Sequence, residues 1–192
     1  NGIQPLDQLN ADRQLFAEGR PVVVFMGRLT AQKGAEYFLD LAKSVLKKIP
    51  TALFIVAGNG DMYNSLLFRN AADHLSASVL FTGFLRDHQR EALLERADIF
   101  VMPSLAEPFG LVALEAAQRK TPVIVSSNSG VREILQHALQ ADFWDVDRMT
   151  DQIAHLLDSK EYRQSVVEGQ STDLTQATWQ KAAKKISTVY QN

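Results

Sequence analysis

The feature of this sequence that most constrains its fold is an alternation of short apolar runs with longer amphipathic stretches. Several of the runs are apolar at consecutive positions, which is typical of parallel strands buried on both faces. The runs occupy residues 22–26, 52–57, 79–81, 99–102 and 122–126. The stretches between them carry apolar residues at spacings of three and four, which predicts helices. These stretches occupy residues 35–48, 61–75, 87–97 and 110–119.

Strand followed by helix, repeated several times, predicts an α/β fold: a Rossmann-like, doubly wound parallel sheet with helices on both faces. Residues 141–144 predict a sixth strand. The tail predicts helices that pack on the edge of the sheet, over residues 147–158, 160–170 and 178–190. The predicted organisation is a hinge or linker over residues 1–20, a Rossmann-like domain over residues 21–175 and a C-terminal helix over residues 176–192.

Charge and composition exclude several classes of function. The net charge is -2, with both signs mixed along the chain, so no basic stripe predicts a nucleic-acid partner. The sequence contains no cysteine, which excludes disulfides, cysteine-ligated zinc and a cysteine nucleophile. It has neither an 18-residue apolar run nor a signal pattern at its start, so we expect a cytoplasmic protein.

Glycine or small polar residues follow each of the five apolar runs. In an open parallel sheet, ligands bind where the loops leave the carboxyl ends of the strands. We therefore expect the binding surface at that rim. The segments that follow the runs begin at Gly27, Gly58, Thr82, Pro103 and Ser126.

Two cations follow the first run. Arg28 offers a bidentate fork to phosphate and Lys33 a mobile point charge, so together they can hold a diphosphate and neutralise its charge as it leaves. Alternatively, both are ordinary solvated residues near the start of a helix. Gly58-Asn59-Gly60 is a weaker signal, because it lacks the spacing of a dinucleotide fingerprint and glycine turns often end strands.

The sharpest signal is Glu107-Pro108-Phe109-Gly110, followed by Glu115. Proline suits the first turn of a helix, and Gly110 lets a ligand approach the backbone amides there. Glu107 lies at the mouth of this turn, where its carboxylate can accept hydrogen bonds from sugar hydroxyls. Glu115 lies about two turns further along an apolar helix, where a carboxylate needs a partner. That partner is either a ribose diol or a structural salt bridge to Arg119 or Arg132.

These segments together resemble a known family. Gly27-Arg28-Leu29 with Lys33-Gly34, residues 97–104, Glu107-x-Phe109-Gly110 with Glu115-Ala116, and residues 121–124 are similar to the glycosyl transferase group 1 (family 4, glycogen-synthase-like) retaining glycosyltransferases of GT-B architecture. The resemblance covers almost the whole chain. Asn1-Gly2-Ile3 resembles the hinge that precedes the second, donor-binding Rossmann domain of that family, and Thr178-Trp179 resembles its final helix.

The resemblance implies a role for each matching residue. Arg28, Lys33 and Glu107 correspond to the catalytic group: the cations bind the donor diphosphate and stabilise the departing nucleotide, and the glutamate faces the donor sugar. Glu115 corresponds to the carboxylate that holds the ribose hydroxyls. The remaining implied donor-binding residues are Gly27, Gly58, Phe84, Leu85, Phe109, Gly110 and Leu111.

The implied reaction is transfer of a hexose from a UDP-, GDP- or ADP-linked sugar to an acceptor hydroxyl with retention, without a metal or other cofactor. It implies an N-terminal Rossmann acceptor domain, for which residues 1–20 are too short. We therefore expect the chain alone to be inactive, and any peripheral membrane association to run through that missing domain. The alternatives are a non-catalytic nucleotide-sugar-binding module, one subunit of a split enzyme, or another GT-B enzyme such as an epimerase.

Overall fold

The computed structural model describes residues 19–176, which form a six-stranded, fully parallel sheet. The strand order is β3-β2-β1-β4-β5-β6, with helices on both faces, so the predicted Rossmann-like fold class is confirmed. The strands are β1 Val22–Met26, β2 Leu53–Ala57, β3 Val79–Gly83, β4 Ile99–Met102, β5 Val123–Ser126 and β6 Leu139–Ala141.

The chain order of the strands reverses direction at β1. From β1, the chain builds the sheet outward to β2 and β3, and then returns to place β4 on the other side of β1. Val24 of β1 is therefore in register with both Ile55 and Phe100. Such a switch point leaves a crevice at the carboxyl ends of the two strands, because their connections leave in opposite directions. The loops after β1 and β4 meet at this crevice.

Alternating strand residues divide the core into two layers. Val23 and Phe25 of β1 contribute to one layer, while Val22, Val24 and Met26 contribute to the other. The helices are α1 Ala35–Lys48, α2 Tyr63–Ala72, α3 Asp87–Arg96, α4 Leu111–Gln118, α5 Val146–Asp158 and α6 Lys160–Gln176. Buried residues of α1, α2 and α5 cover the first layer, and those of α3 and α4 cover the second. None of the helices within residues 19–176 is long and apolar enough to cross a membrane.

The predicted sixth strand is present, but its predicted bounds, residues 141–144, are wrong. The strand is β6, which lies two residues earlier and pairs with β5 so that Ala141 is in register with Ser126. Residues after Ala141 turn into α5, because the Asp145 amide donates to the Asp142 carbonyl at 2.9 Å. Asp145 then caps α5 by accepting from the Arg148 amide at 3.0 Å. Residues 142–144 therefore form the turn that leads into α5 and do not extend β6.

The predicted packing of the tail on the edge of the sheet holds for α5: it contacts the edge strand β6, and Gln152 Nε2 donates to the Gln140 carbonyl at 2.9 Å. Helix α5 also packs against α1, whereas α6 packs against α5 and α4. Val166 of α6 lies in the first core layer, while Leu174 packs against the second, so this helix crosses from one layer to the other. It continues to Gln176, the last described residue, which is six residues beyond the predicted end. The predicted hinge, apart from residues 19–20, and the predicted helix over residues 178–190 lie outside the described residues.

Candidate functional site

Two adjoining clefts lie at the carboxyl edge of the sheet, where β1 and β4 diverge. Each has a volume of about 250 Å³, and both are lined by Met26, Gly27 and Val112. The first cleft also contains Lys33, Glu107, Phe109, Gly110 and Leu111. The second also contains Arg28, Gly58, Phe84, Leu85 and Arg90. The fold thus brings together every residue of the sequence-predicted site except Glu115, which lies beside the second cleft.

Lys33 and Glu107 form an ion pair within the first cleft. Lys33 ends a short 3₁₀ turn after β1, and Glu107 lies in the loop after β4, 74 residues later. The Lys33 ammonium donates to Oε2 of Glu107, and the two side chains are only 20% and 11% exposed. From the sequence, Lys33 was expected to bind a diphosphate together with Arg28. In the structure, the ammonium group of Lys33 instead pairs with the carboxylate of Glu107. The pair is a direct consequence of the switch point, because only there do these two loops become neighbours.

Backbone hydrogen bonds hold the loop of Glu107 on both sides. The Leu105 amide donates to the Gln32 carbonyl at 2.9 Å, which ties the loop to the turn after β1. The Gly130 amide donates to the Glu107 carbonyl at 2.8 Å, which ties it to the loop after β5. Ser126 Oγ also donates to the carbonyl of Ser104 at 2.5 Å. The glutamate is therefore presented by a fixed backbone rather than by a free loop.

The N-terminus of α4 opens into the first cleft. Gly110 adopts a left-handed conformation with φ of 88°, and a Cβ there would lie 2.9 Å from the Met102 side chain. No side chain among residues 19–176 caps the helix, so the amides of Leu111 and Val112, which lack acceptors within the helix, remain available to a ligand. Phe109 and Leu111 on either side are 48% and 63% exposed. This end of the helix favours an anion, because the amides and the helix dipole act together.

Arg28 differs from the other cations of the clefts. It is exposed and lines the second cleft, and within residues 19–176 it makes no ion pair. The Lys33 and Arg90 charges, in contrast, are each balanced by a glutamate. Arg28 is therefore the cation of the described site whose charge is available to an anionic ligand.

Gly27 and Gly58 both line the second cleft. The Gly58 amide donates to the Gly83 carbonyl at 2.8 Å, and a Cβ on Gly58 would lie 1.8 Å from the carbonyl oxygen of Gly27. The conformational interpretation of the Gly58-Asn59-Gly60 turn thus holds, and the same turn also lines the cleft. Phe84 is 74% exposed at the rim, whereas Leu85 is buried.

Arg90 is a residue of this site that the sequence analysis missed. Its Nη2 lies 2.5 Å from Oε2 of Glu115 and its side chain lines the second cleft. The structural salt bridge considered as the alternative partner of Glu115 is therefore present, but its cation is Arg90. Arg119 and Arg132 were the wrong residues. Arg119 instead donates to the backbone carbonyl of Glu115 at 3.2 Å and pairs with Glu91. No spacing signal marks Arg90, because its partner lies on another helix, 25 residues away.

A further cavity of about 590 Å³ lies at the opposite end of the sheet. Its lining includes Pro21, Lys48 and His155, which lie at the amino end of β1 and near the ends of α1 and α5. This cavity is larger and more open than either cleft, and its cation Lys48 pairs with the exposed Asp151 at 2.7 Å. Within residues 19–176, no group of three or more histidines or carboxylates is placed to hold a metal ion.

Comparison with known proteins decides the family. The model of the family described as glycosyl transferases group 1 matches residues 7–171 of this chain. The chain belongs to the glycosyl transferases group 1 family. An uncharacterized glycosyltransferase of Methanocaldococcus jannaschii is 32% identical over 99% of this chain and 52% of its own length. The chain spans about half or less of the curated relatives it matches.

Solved structures of glycosyltransferases share the fold. The C-terminal domain of a group 1 family protein from Francisella tularensis matches with a TM-score of 0.72 and 24% identity, over 91% of this chain and 95% of that domain. HepE of Anabaena, solved in complex with UDP and glucose, matches with a TM-score of 0.78 and 20% identity, over 98% of this chain and 53% of that one. The predicted identity as a domain of a GT-B group 1 glycosyltransferase is confirmed.

Proposed function

We propose that this chain is the donor-binding half of a retaining glycosyltransferase that transfers a hexose from a nucleotide-diphosphate sugar to an acceptor hydroxyl. The observation that carries the proposal is the arrangement at the switch point. There, two adjoining clefts are surrounded by a lysine–glutamate pair and by an arginine and a helix N-terminus that have no ion-pair partner and no side-chain cap among residues 19–176. The solved complex of HepE with UDP and glucose supports a ligand of this class.

The diphosphate is proposed to lie between Arg28 and the N-terminus of α4. Arg28 can form a bidentate hydrogen bond with phosphate, and the first-turn amides of α4 donate from the other side. Lys33 lies in the adjoining cleft and can share its donors between Glu107 and a phosphate oxygen, since an ammonium has three. These groups supply the positive charge of the site, so we propose that the reaction needs no metal.

The sugar is proposed to lie in the first cleft against Glu107. One carboxylate oxygen accepts from Lys33, and the other is available to the sugar hydroxyls. In the proposed step, the bond from the anomeric carbon to the phosphate oxygen breaks and the acceptor oxygen bonds to the same face. The leaving phosphate takes the acceptor's proton. Arg28 and Lys33 then stabilise the negative charge that develops on the nucleotide, while Glu107 positions the sugar.

The nucleoside is proposed to occupy the second cleft. Gly58, Phe84 and Leu85 line this cleft and are proposed to contact the base. Glu115 lies beside this cleft and is proposed to hold the ribose hydroxyls. Its side chain is 36% exposed, so a ligand can reach it.

The acceptor is proposed to bind to a second Rossmann domain. The match to a solved C-terminal domain over 95% of its length supports the existence of a separate N-terminal domain in such a protein. Because the cleft residues are all assigned to the donor in this proposal, we expect no transfer by this chain by itself, and we propose that the whole enzyme acts in the cytoplasm. Any peripheral attachment to a membrane is assigned to the acceptor domain.

A thermal-unfolding screen of the chain with UDP, GDP and ADP, all in EDTA, tests this proposal. We expect at least one of the three to raise the unfolding midpoint, because a ligand that binds only the folded state stabilises it. EDTA should leave the shift unchanged. Absence of any shift at millimolar nucleotide, or a shift that requires added metal, would contradict the proposal. Sugar transfer by the isolated chain would contradict the assignment of a separate acceptor half.

A further inference from the structure

We infer that Arg90 is a specificity-determining residue that, with Glu115, forms a paired donor and acceptor for the ribose diol of the nucleotide. The inference rests on the proposed function and deepens it, since it assigns a second side chain to the nucleoside subsite. Its starting point is that Arg90, rather than Glu115, lines the second cleft. A ligand in that cleft meets the guanidinium before or together with the carboxylate.

The contact with Glu115 fixes the guanidinium. Nη2 of Arg90 lies 2.5 Å from Oε2 of Glu115, so one carboxylate oxygen is engaged and the other remains available. The two side chains lie on different helices, Arg90 on α3 and Glu115 on α4, and are 31% and 36% exposed. A charge-assisted hydrogen bond between two packed helices restricts both groups, so the rotamer entropy is already lost before a ligand arrives.

The remaining N–H groups of Arg90 are available at the cleft. A guanidinium carries five N–H donors, of which the described contacts use one. None of the other nitrogens of Arg90 is buried without a partner, so they face solvent or the cleft. The pair thus presents donors from Arg90 next to a free acceptor oxygen of Glu115. A vicinal diol is complementary to this arrangement, because each hydroxyl both donates and accepts.

The charge of the pair favours a diol over a phosphate. Arg90 is neutralised by Glu115, whereas Arg28 in the same cleft has no ion-pair partner among residues 19–176. A dianionic phosphate therefore gains more from Arg28, and it would be repelled by the carboxylate of Glu115. An uncharged polar ligand gains hydrogen bonds from the Arg90–Glu115 pair without that repulsion. The apolar wall of Phe84 and Leu85 suits the base, which leaves the ribose for the pair.

The test compares binding of a ribonucleotide with binding of its 2′-deoxy form. The probes are UDP, GDP and ADP with their 2′-deoxy counterparts, titrated calorimetrically into the chain. Because a hydrogen bond to a charged group contributes appreciably, we expect the best ribonucleotide to bind about ten- to a hundredfold more tightly than its deoxy form. Arg90→Met, which keeps the length but removes every donor, should reduce that ratio to about threefold or less.

Two further variants separate recognition from folding. Arg148→Met removes an exposed arginine from α5, on the other layer of the domain, and should leave the ratio at the wild-type value. Arg90→Lys keeps the charge and should give an intermediate ratio, which keeps the test valid if Arg90→Met unfolds. Unfolding midpoints of all variants are measured alongside.

The possible outcomes distinguish failure of the inference about Arg90 from failure of the proposed donor-binding function. If Arg90→Met keeps the wild-type ratio of ribonucleotide to 2′-deoxynucleotide affinity, the proposed role of Arg90 is wrong. The same holds if Arg90→Met weakens binding of both nucleotides by the same factor. Wild-type binding of a nucleotide without any ribose preference would overturn the inference, and with it the assignment of Glu115 to the ribose, but would leave the proposed donor-binding function standing. If none of the six nucleotides binds the wild-type chain, the proposed function is wrong and the inference is wrong with it.

Discussion

Gly34→Ala should destabilise this domain by more than about 3 kcal/mol, because it combines backbone strain with a steric clash. Gly34 joins the turn after β1 to α1 in a left-handed conformation with φ of 74°. A Cβ there would lie 1.8 Å from the carbonyl oxygen of Pro103, so two backbone segments would have to separate. These segments carry Lys33 and Glu107, and their separation should also break that ion pair. Urea unfolding measures the first effect, and nucleotide titration measures the second.

Gly83→Ala provides the matched control. Gly83 has nearly the same backbone conformation, with φ of 69°, but a Cβ there would meet nothing within 4 Å. This substitution should cost only the left-handed strain of about 1–2 kcal/mol. The difference between the two variants therefore isolates the close packing of the loops after β1 and β4. Equal losses of stability would show that this packing contributes nothing, and the rigid-loop account of Glu107 would be wrong.

Arg28→Ala should weaken binding of a nucleoside diphosphate about ten- to a hundredfold, since it removes a charge-assisted contact. Binding of the corresponding nucleoside should change little, because Arg28 is assigned to the phosphates and not to the base or ribose. Arg86→Ala is the control: Arg86 is also exposed and precedes α3, but it does not line either cleft. Calorimetric titration of the three proteins with both ligands gives the comparison. Equal losses for nucleoside and diphosphate would refute the assigned contact.

The fold was largely predictable because a strand that is buried on both faces of the sheet is apolar at consecutive positions, which can be seen in the sequence. The bounds of β1, β4 and α1 agree with the apolar runs and the helical spacing, since these elements lie in the core. The strand over residues 141–144 failed for a local reason. Phe143 and Trp144 favour a strand by composition, but Asp145 caps the next helix, and the cap determines where the strand ends.

The members of the site were more predictable than their contacts. Glycines and charged residues after the strands placed Arg28, Lys33 and Glu107 at one rim, and the structure brings all three to the two clefts. Pairing between Lys33 and Glu107 depends on which strands are neighbours, which no spacing along the chain encodes. The same holds for Arg90, whose contact with Glu115 exists only because α3 and α4 lie side by side. The roles assigned to these residues remain predictions.

The most direct test of the proposed donor site is a titration of the isotopically labelled chain with a nucleoside diphosphate, followed by amide NMR spectra. The account predicts that the affected amides cluster at the carboxyl edge of the sheet, around Gly27, Gly58, Leu85, Gly110 and Leu111. Changes centred instead on Lys48 and His155, at the larger cavity at the amino end, would contradict it. So would spectra that do not change at millimolar nucleotide.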